Sequence, residues 1–530
     1  MNKKYIKTGI VTAIIIAAIA IYFHCLYYLI LPTDMDADYC YVLLEANDVI
    51  HGNFFLNGWI QTGVSFFLTD LPFYMIGIAV FGVTRMAYVL GVMLMIAGAF
   101  FACYLLLDKK NLKYTVLYCI IAAIPAAWAV DMQRSHIGGY VWCFLMFAIV
   151  GWAVKRKKAG WQCVTAIVVC TAMCTTSDMA ALVFGSGAVF IVAVYELLFS
   201  QEDNKKFYGT LAVSVCAGAV LGIIMDKLYY LIGTADKNSF VGEKCFIDVY
   251  GILDHFLLYI KSVFVLGGGN FFGKTITAAQ TLVALVYAVF VIAGLYLMVK
   301  NIVLWIRHKN DDLVSVLLSV GLATVSLLFV FTNISIDIYT SRYFGSFQYI
   351  SAVLICRYLS RTGLGERFLY TSRQIKWKYC IMAVAVLAAG GSVLRYKSDI
   401  QPGVNILTEE YLGEFLQEQG LTCGYGDFYS SSVVKVATQG QVQLHQVVLT
   451  GEECVYPYYW FAQKEWYAQE AHFVVLRQQD DLGFGLTPQN VRQAFGEPTR
   501  QLTFEDYIIY VYDNKDLSQS INYEDWRYLQ

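Results

Sequence analysis

Charge is scarce in this chain: 15% of its 530 residues are charged, where a soluble domain carries nearer ~25%. With 58% hydrophobic residues and a mean hydropathy of +0.54, it has too little polar surface to dissolve as a globule. Net charge is -2 and no basic patch stands out, which argues against a nucleic-acid partner. There is no CxxC pair and no Cys/His cluster at zinc spacing, so the 14 cysteines suggest neither redox nor zinc chemistry. Cys103, Cys119, Cys143, Cys170 and Cys216 lie in apolar runs, where a thiol acts as a small hydrophobe. Cys423 and Cys454 fall in a more polar tail and are expected to stay unpaired. That tail also lacks a nucleophile elbow, a phosphate loop and a metal signature.

What the chain has is a series of long apolar runs. Those near 8–31, 84–107, 114–130, 137–154, 160–176, 179–200, 208–231, 277–299, 311–333, 344–359 and 378–396 suffice to cross ~30 Å of hydrocarbon. Its 39 Tyr, 34 Phe and 10 Trp suit rings that anchor helices at the headgroup level. The start, Met1-Asn-Lys-Lys-Tyr-Ile-Lys7, is basic, and the apolar run after it reaches Leu31-Pro32 without a small-residue cleavage site. It reads as a retained signal anchor with its lysines in the cytoplasm.

One further apolar stretch, Val64 to Phe81, contains Asp70 and Pro72. Counting it as a span would put Asp108-Lys-Lys-Asn-Leu-Lys113 and Lys155-Arg-Lys-Lys158 outside, against the positive-inside rule. Leaving it out places these, Lys205, Lys206, Arg307, Lys309 and the basic stretch from Arg361 inside. Residues 54–82 are therefore expected to be juxtamembrane or re-entrant, part of an external loop 32–83. The expected fold is an α-helical polytopic membrane protein with about eleven transmembrane helices over residues 1–396, N-terminus in. Residues 397–530 follow as a small extracytoplasmic α/β domain. In it Glu409 to Glu418 reads as a helix ending at Gly420, and Thr487-Pro488 opens another that stops at Gly496. Val442 to Leu449, Phe473 to Leu476 and Tyr507 to Tyr512 read as strands.

The residues that could carry chemistry then share the external face. The densest acidic group is Thr33-Asp34-Met-Asp36-Ala-Asp38-Tyr39, continuing through Glu45, Asp48, His51 and Gly52-Asn53 to Gly58-Trp59. On a helix over 38–52, Asp38, Glu45 and Asp48 would lie on roughly one side. A solvated loop explains any one of them. The cluster beside a non-spanning stretch suggests function. Asp131-Met-Gln-Arg134-Ser-His136 is a second candidate, balanced against a polar turn between spans, and Asp178 reads as a helix cap. The third is Asn333 to Tyr343, where Arg342 could pair with Asp337, meet lipid headgroups or fork onto phosphate oxygens. Gly267-Gly-Gly-Asn270 lacks the strand-to-helix setting of a phosphate cradle.

This combination resembles the GT-C superfamily of membrane glycosyltransferases, the class of protein O-mannosyltransferases and aminoarabinose transferases. The resemblance covers residues 1–360 in architecture. It rests on the anchor, the acidic loop Asp38-Tyr-Cys-Tyr-Val-Leu-Leu-Glu45-Ala-Asn-Asp48-Val-Ile-His-Gly52-Asn53 with Gly58-Trp59, Phe81-Gly82 before Arg85, and Arg342-Tyr343. Bacterial members often carry an extracytoplasmic C-terminal domain. The resemblance implies sugar transfer from a polyprenyl-phosphate donor to a protein, lipid or wall-polymer acceptor, with inversion, on the outer face. It implies a first-loop Asp as base, Asp38 by closest match and Asp36 next. Arg342 with Tyr343 would hold the lipid phosphate, and Asp131, Arg134, His136, Glu45 and Asp48 would line the pocket. Only oxygen ligands are on offer, a set that would suit Mg or Mn. A lipid-linked sugar flippase and a non-catalytic scaffold are the competing readings. The first usually shows internal repeats, which are absent here, and the second leaves the acidic loop without a role.

Overall fold

The computed structural model describes residues 3–156, 159–200, 202–233, 236–237, 244–363, 390–399, 406–450, 454–479 and 481–523. The helical part runs α1 (Lys3–Ile30), α2 (Ala37–Ile50), the short strand β1 (Trp59–Gln61), α3 (Leu71–Phe81), α4 (Arg85–Tyr104), α5 (Leu112–Ala122), α6 (Ala127–Met132), α7 (Ile137–Lys155) and α8 (Trp161–Ser177). It continues with α9 (Met179–Phe199), α10 (Glu202–Gly233), the two-residue β2 (Asp236–Lys237), α11 (Ile252–Leu266), α12 (Ala279–Ile306), α13 (Leu313–Phe331), α14 (Phe347–Arg361) and α15 over 390–399. Among the described residues, seven helices are long and apolar enough to cross a membrane. The chain is thus compatible with a multi-pass membrane protein.

The bundle has two distinguishable ends. At one, Lys155 lies 4.0 Å from Asp108, Arg361 lies 2.9 Å from Asp311, and Trp305 Nε1 donates to Glu196 at 2.7 Å. At the other, three connections meet. Leu68 N–H donates to Ser177 Oγ at 2.9 Å, Trp128 Nε1 to Ser341 Oγ at 3.1 Å, and Arg134 Nη1 to the Asp34 carbonyl. The three polar segments singled out in the sequence share this second end.

Residues 62–82 enter the bundle and return to the same end. Tyr74 packs against Gly91 and the later Gly77 against Ala87, so α3 climbs as it runs. Gly91 is six residues into α4, so Tyr74 lies roughly 9 Å below the start of α4, and Leu71, where α3 begins, lies deeper still. At 11 residues α3 is too short to cross.

One apolar run expected to span is interrupted in the structure, and one helix stands where none was expected. The run 114–130 is broken between α5 and α6, over residues that include Pro125, which has no N–H to continue the helix. The freed carbonyls are met by buried side chains. Gln348 Nε2 donates to Ile121 O, Arg395 Nη2 to Ile124 O, and Tyr287 Oη to Ile120 O at 3.4 Å. Non-helical backbone within a bundle is tolerable only with such partners. The second difference is α11, which falls in the stretch 232–276 expected to be loop. Its Asp254, His255 and Lys261 dilute the hydropathy that would have marked it. The run 378–396 lies outside the described residues except for 390–396, which are helical.

The tail forms a mixed sheet in the order β5-β4-β3-β7-β9-β8. Its strands are β3 (Cys423–Gly426), β4 (Gln443–Thr450), β5 (Cys454–Pro457), β7 (Phe473–Arg477), β8 (Arg500–Phe504) and β9 (Tyr507–Val511). Its helices are α16 (Thr408–Glu418), α17 (Phe428–Ala437) and α18 (Pro488–Phe495). The expected punctuation is there: Gly420 has φ +69° after α16, and Thr487 Oγ1 accepts from Asn490 N–H at 3.2 Å to open α18. Cys423 and Cys454 are separated by β4, and β4 pairs them with residues seven positions apart, Gln443 and Thr450. That separation is too great for a disulfide.

The tail and the loop 32–83 share one core. Ala37 and Tyr41 of α2 are buried in the same cluster as Tyr425, Phe428, Val447, Phe461 and Tyr467. Ser432 Oγ donates to Ala37 O at 3.1 Å, Tyr41 Oη to Gln446, and Arg85 pairs with Glu410. β1 adds an antiparallel pairing to β6 (Ala462–Gln463).

Within the tail, Lys435 is buried with its Nζ 3.2 Å from the Trp466 ring centroid, and Nζ has no hydrogen-bond partner among the described residues. Burial holds its amine well below the usual lysine range. Folding therefore releases a proton, and this group's contribution rises with pH toward the unfolded lysine value near ~10.4 and is lost as pH falls. Lys435→Met is expected to stabilise the domain by ~1–3 kcal/mol at neutral pH. It should also flatten the pH dependence of amide exchange in β3 and β4, measured on the full chain. An unchanged profile would contradict this.

Candidate functional site

The acidic loop is built around the first turn of α2. Asp36 caps the helix, its side chain accepting from Tyr39 N–H at 3.5 Å, and two residues on Asp38 faces out of that turn. The loop is anchored by Arg134, which is buried. Its Nη2 lies 2.6 Å from Asp131 Oδ1 and 3.9 Å from Asp36 Oδ2. Its Nη1 donates to Asp34 O and, at 3.1 Å, to Tyr88 Oη, while Nε donates to Asp131 O at 3.1 Å. The guanidinium also lies 4.2 Å from the Tyr39 ring. So engaged, Arg134 ties the acidic loop to the turn 131–136 and to α4.

Asp38 and Arg342 differ from Arg134 in this respect. Among the described residues neither side chain makes a hydrogen bond or an ion pair, although burial raises the Asp38 carboxyl above the usual aspartate range, with Arg342 and then Arg134 pulling it back. The carboxyl is solvent-accessible. Burial likewise pushes Asp36 up to about 6 against the pull of Arg134, and raises Asp131 with Arg134 opposing. Arg342 is exposed, with its guanidinium 5.7 Å from the Tyr343 ring.

Tyr343 reaches inward, its carbonyl accepting from Tyr140 Oη and its ring 5.1 Å from His136. His136 is buried at the floor. Its Nδ1 is 3.0 Å from Asp178 Oδ2, and its N–H donates to Asp70 Oδ2 at 2.6 Å. The residue is left-handed at φ 63°, a strained setting for a side chain, and the Asp70 bond holds it there. Asp178 keeps its capping role as well, accepting from Ala180 N–H at 2.9 Å. Asp70, the residue that breaks the Val64–Phe81 run, thus lies beneath the pocket.

Glu45 and Asp48 stand apart from this cluster. Glu45 is buried, accepts from Gln61 Nε2 at 3.2 Å, and is pushed by burial up to about 8. Gln61 in turn accepts from Tyr230 Oη at 3.1 Å, linking the loop to α10. Asp48 Oδ2 accepts from Trp59 Nε1 at 2.7 Å and from Asn53 Nδ2 at 2.9 Å. Both carboxyls fasten the turn 51–59 to α2. Asp38, Glu45 and Asp48 do share the predicted helix, but they contact three different surroundings.

For a metal, the described residues bring no three His, Cys, Asp or Glu side chains together. Asp36 and Asp131 are bridged by Arg134. No family model and no curated protein matches the chain.

Proposed function

We propose that the chain is a membrane glycosyltransferase of GT-C type, moving a sugar from a polyprenyl-phosphate donor to an acceptor hydroxyl at the end of the bundle covered by the tail. The observation that carries the reading is that Asp38 and Arg342, both exposed and with side chains that make no hydrogen bond or ion pair among the described residues, stand on segments that meet at one end of the bundle. Asp38 takes the proton of the acceptor hydroxyl as its oxygen attacks the anomeric carbon. The bond from that carbon to the phosphate oxygen breaks, and the electron pair leaves with the lipid phosphate. Arg342 meets the growing charge. One displacement inverts the anomeric centre. Asp36 and Arg134 position the turn that carries Asp38, and Tyr343 with His136 forms the wall and floor.

In this reading the chain crosses the bilayer about eleven times, and the basic end of the bundle is cytoplasmic. The helix α11 adds no crossing, because Gly233 at the end of α10 packs on Phe55 at the tail-covered end. The next helix, α12, starts from that end too. Its last turn reaches Glu196 at the basic end, and 28 residues of helix span roughly 42 Å. A cysteine at Lys110 should be labelled from the cytoplasmic side alone, and labelling from outside would overturn both topology and active face.

The deciding assay follows labelled sugar from a polyprenyl-phosphate donor, with native membranes as acceptor source. Consumption of donor with release of polyprenyl phosphate is expected, and it should depend on Asp38. The broken α5–α6 passage and the re-entrant 62–82 are also features of transporters. Movement of donor across liposomes without its consumption would make the protein a flippase.

A further inference from the structure

The break between α5 and α6 borders a cavity of about 260 Å³, lined there by Ala126, Ala127 and Trp128. Trp128, Gly268, Asn270, Lys274, Arg395 and Asp399 are among its lining residues. The cavity would hold several waters at ~30 Å³ each. Arg395 is 7% exposed and lies with its guanidinium 4.0 Å from the Tyr287 ring. Its Nη2 donates to Ile124 O, while Nε and Nη1 find no partner among the described residues. Leaving two donors of a buried cation unmet is costly, so the site calls for an acceptor.

The charge in the cavity is unbalanced. Lys274 adds a second cation, and the one acid among these residues, Asp399, is engaged by Ala127 N–H at 3.1 Å and Ser398 Oγ at 3.3 Å. A planar fork with one free edge beside an ammonium suits the oxygens of a phosphate. Gly268 makes the approach feasible: its φ is +69°, and a Cβ there would stand 2.2 Å from Arg395 Nη1. Leu394, in the lining, and Ile276 and Leu282, next to it in sequence, are each more than half exposed, as befits a surface turned to acyl chains.

We propose that this cavity binds the phosphate of an anionic lipid, whose chain lies along the exposed apolar faces of α12 and α15. The proposal is independent of the sugar-transfer reading, since neither Asp38 nor Arg342 lines the cavity.

The test is binding of monododecyl phosphate to the full chain in neutral detergent, followed by native mass spectrometry. In an Arg342→Gln background, which removes the proposed donor-phosphate contact, saturable binding is expected, weakened tenfold or more by Arg395→Gln and by Lys274→Gln. Lys274 is exposed, so its variant tests the site even if loss of the Arg395 bond to Ile124 disturbs folding. Gly268→Ala should weaken binding with both cations retained. Equal binding by the Arg342→Gln protein with and without either cation substitution would overturn the site. Inorganic phosphate binding as tightly as the alkyl ester would overturn the lipid as its source.

Discussion

Asp38→Asn is expected to lower sugar transfer by about two to four orders of magnitude, the range a positioned general base supplies. The amide is nearly isosteric but cannot take the acceptor's proton. The Asp38 side chain makes no hydrogen bond among the described residues, so the change should leave stability within about 0.5 kcal/mol. Loss of activity without loss of fold is the signature. Asp36→Asn separates the two candidates. Asp36 already caps α2 and faces Arg134, so its loss should cost less than about tenfold.

Acidity gives a second reading of the same pair. A base works only when deprotonated, and burial raises both carboxyls, so activity should fall on acidification from above the ordinary aspartate value near ~3.9. Asp36, at about 6, should contribute a step in the rate there as its contact with Arg134 weakens. That step should vanish in Asp36→Asn. A wild-type rate in Asp38→Asn, with the same pH profile, would remove Asp38 as base.

Much of this arrangement can be read from residues alone, for identifiable physical reasons. Charge parity across the spans places the three polar segments together, because lysine and arginine bias which loops stay on one side. In the tail, caps do the same service: Gly420 and the Thr487-Pro488 pair mark helix ends through local backbone preference. The helix Phe428–Ala437 has an equally local signal in Asp427 followed by Ser430, joined at 2.9 Å. Pro125 likewise signals the break inside the third apolar run.

What hydropathy and motif do not carry is the choice of partner. Arg134 reads as a free cation in sequence, yet five groups from loop, turn and α4 converge on it. Glu45 and Asp48 read as members of an acidic face, yet each is occupied by a residue 11 to 16 positions away. Arg395 sits in a run that reads as plain membrane span. Its exposure to a cavity depends on the α5–α6 break some 270 residues earlier, joined by the contact with Ile124. Such pairings are set by tertiary packing, which a periodicity cannot express.

The largest effect on stability is expected far from the site, at the basic end of the bundle. Arg357 and Asp312 are both buried and meet as a fork: Nε to Oδ2 at 2.9 Å and Nη2 to Oδ1. The third nitrogen, Nη1, donates to Leu106 O, so one side chain ties α14 to the start of α13 and the end of α4. Ser315 Oγ adds a bond to Asp312 at 2.6 Å, and Arg361 approaches Asp312 at 3.3 Å. Removing one member of such a pair leaves a buried charge without its counter-ion, at a cost of about 3–5 kcal/mol. Arg357→Met should therefore lower the unfolding free energy by that much in mixed micelles, softened only by Arg361. Removing both charges removes the desolvation penalty with them. Arg357→Met with Asp312→Leu should regain most of the loss, short by about 1 kcal/mol for the α13 cap that Asp312 provides through Ser315 N–H. The coupling obtained from the four proteins measures the pair itself. Additive losses in the double variant would mean that the fork contributes through packing and not through charge.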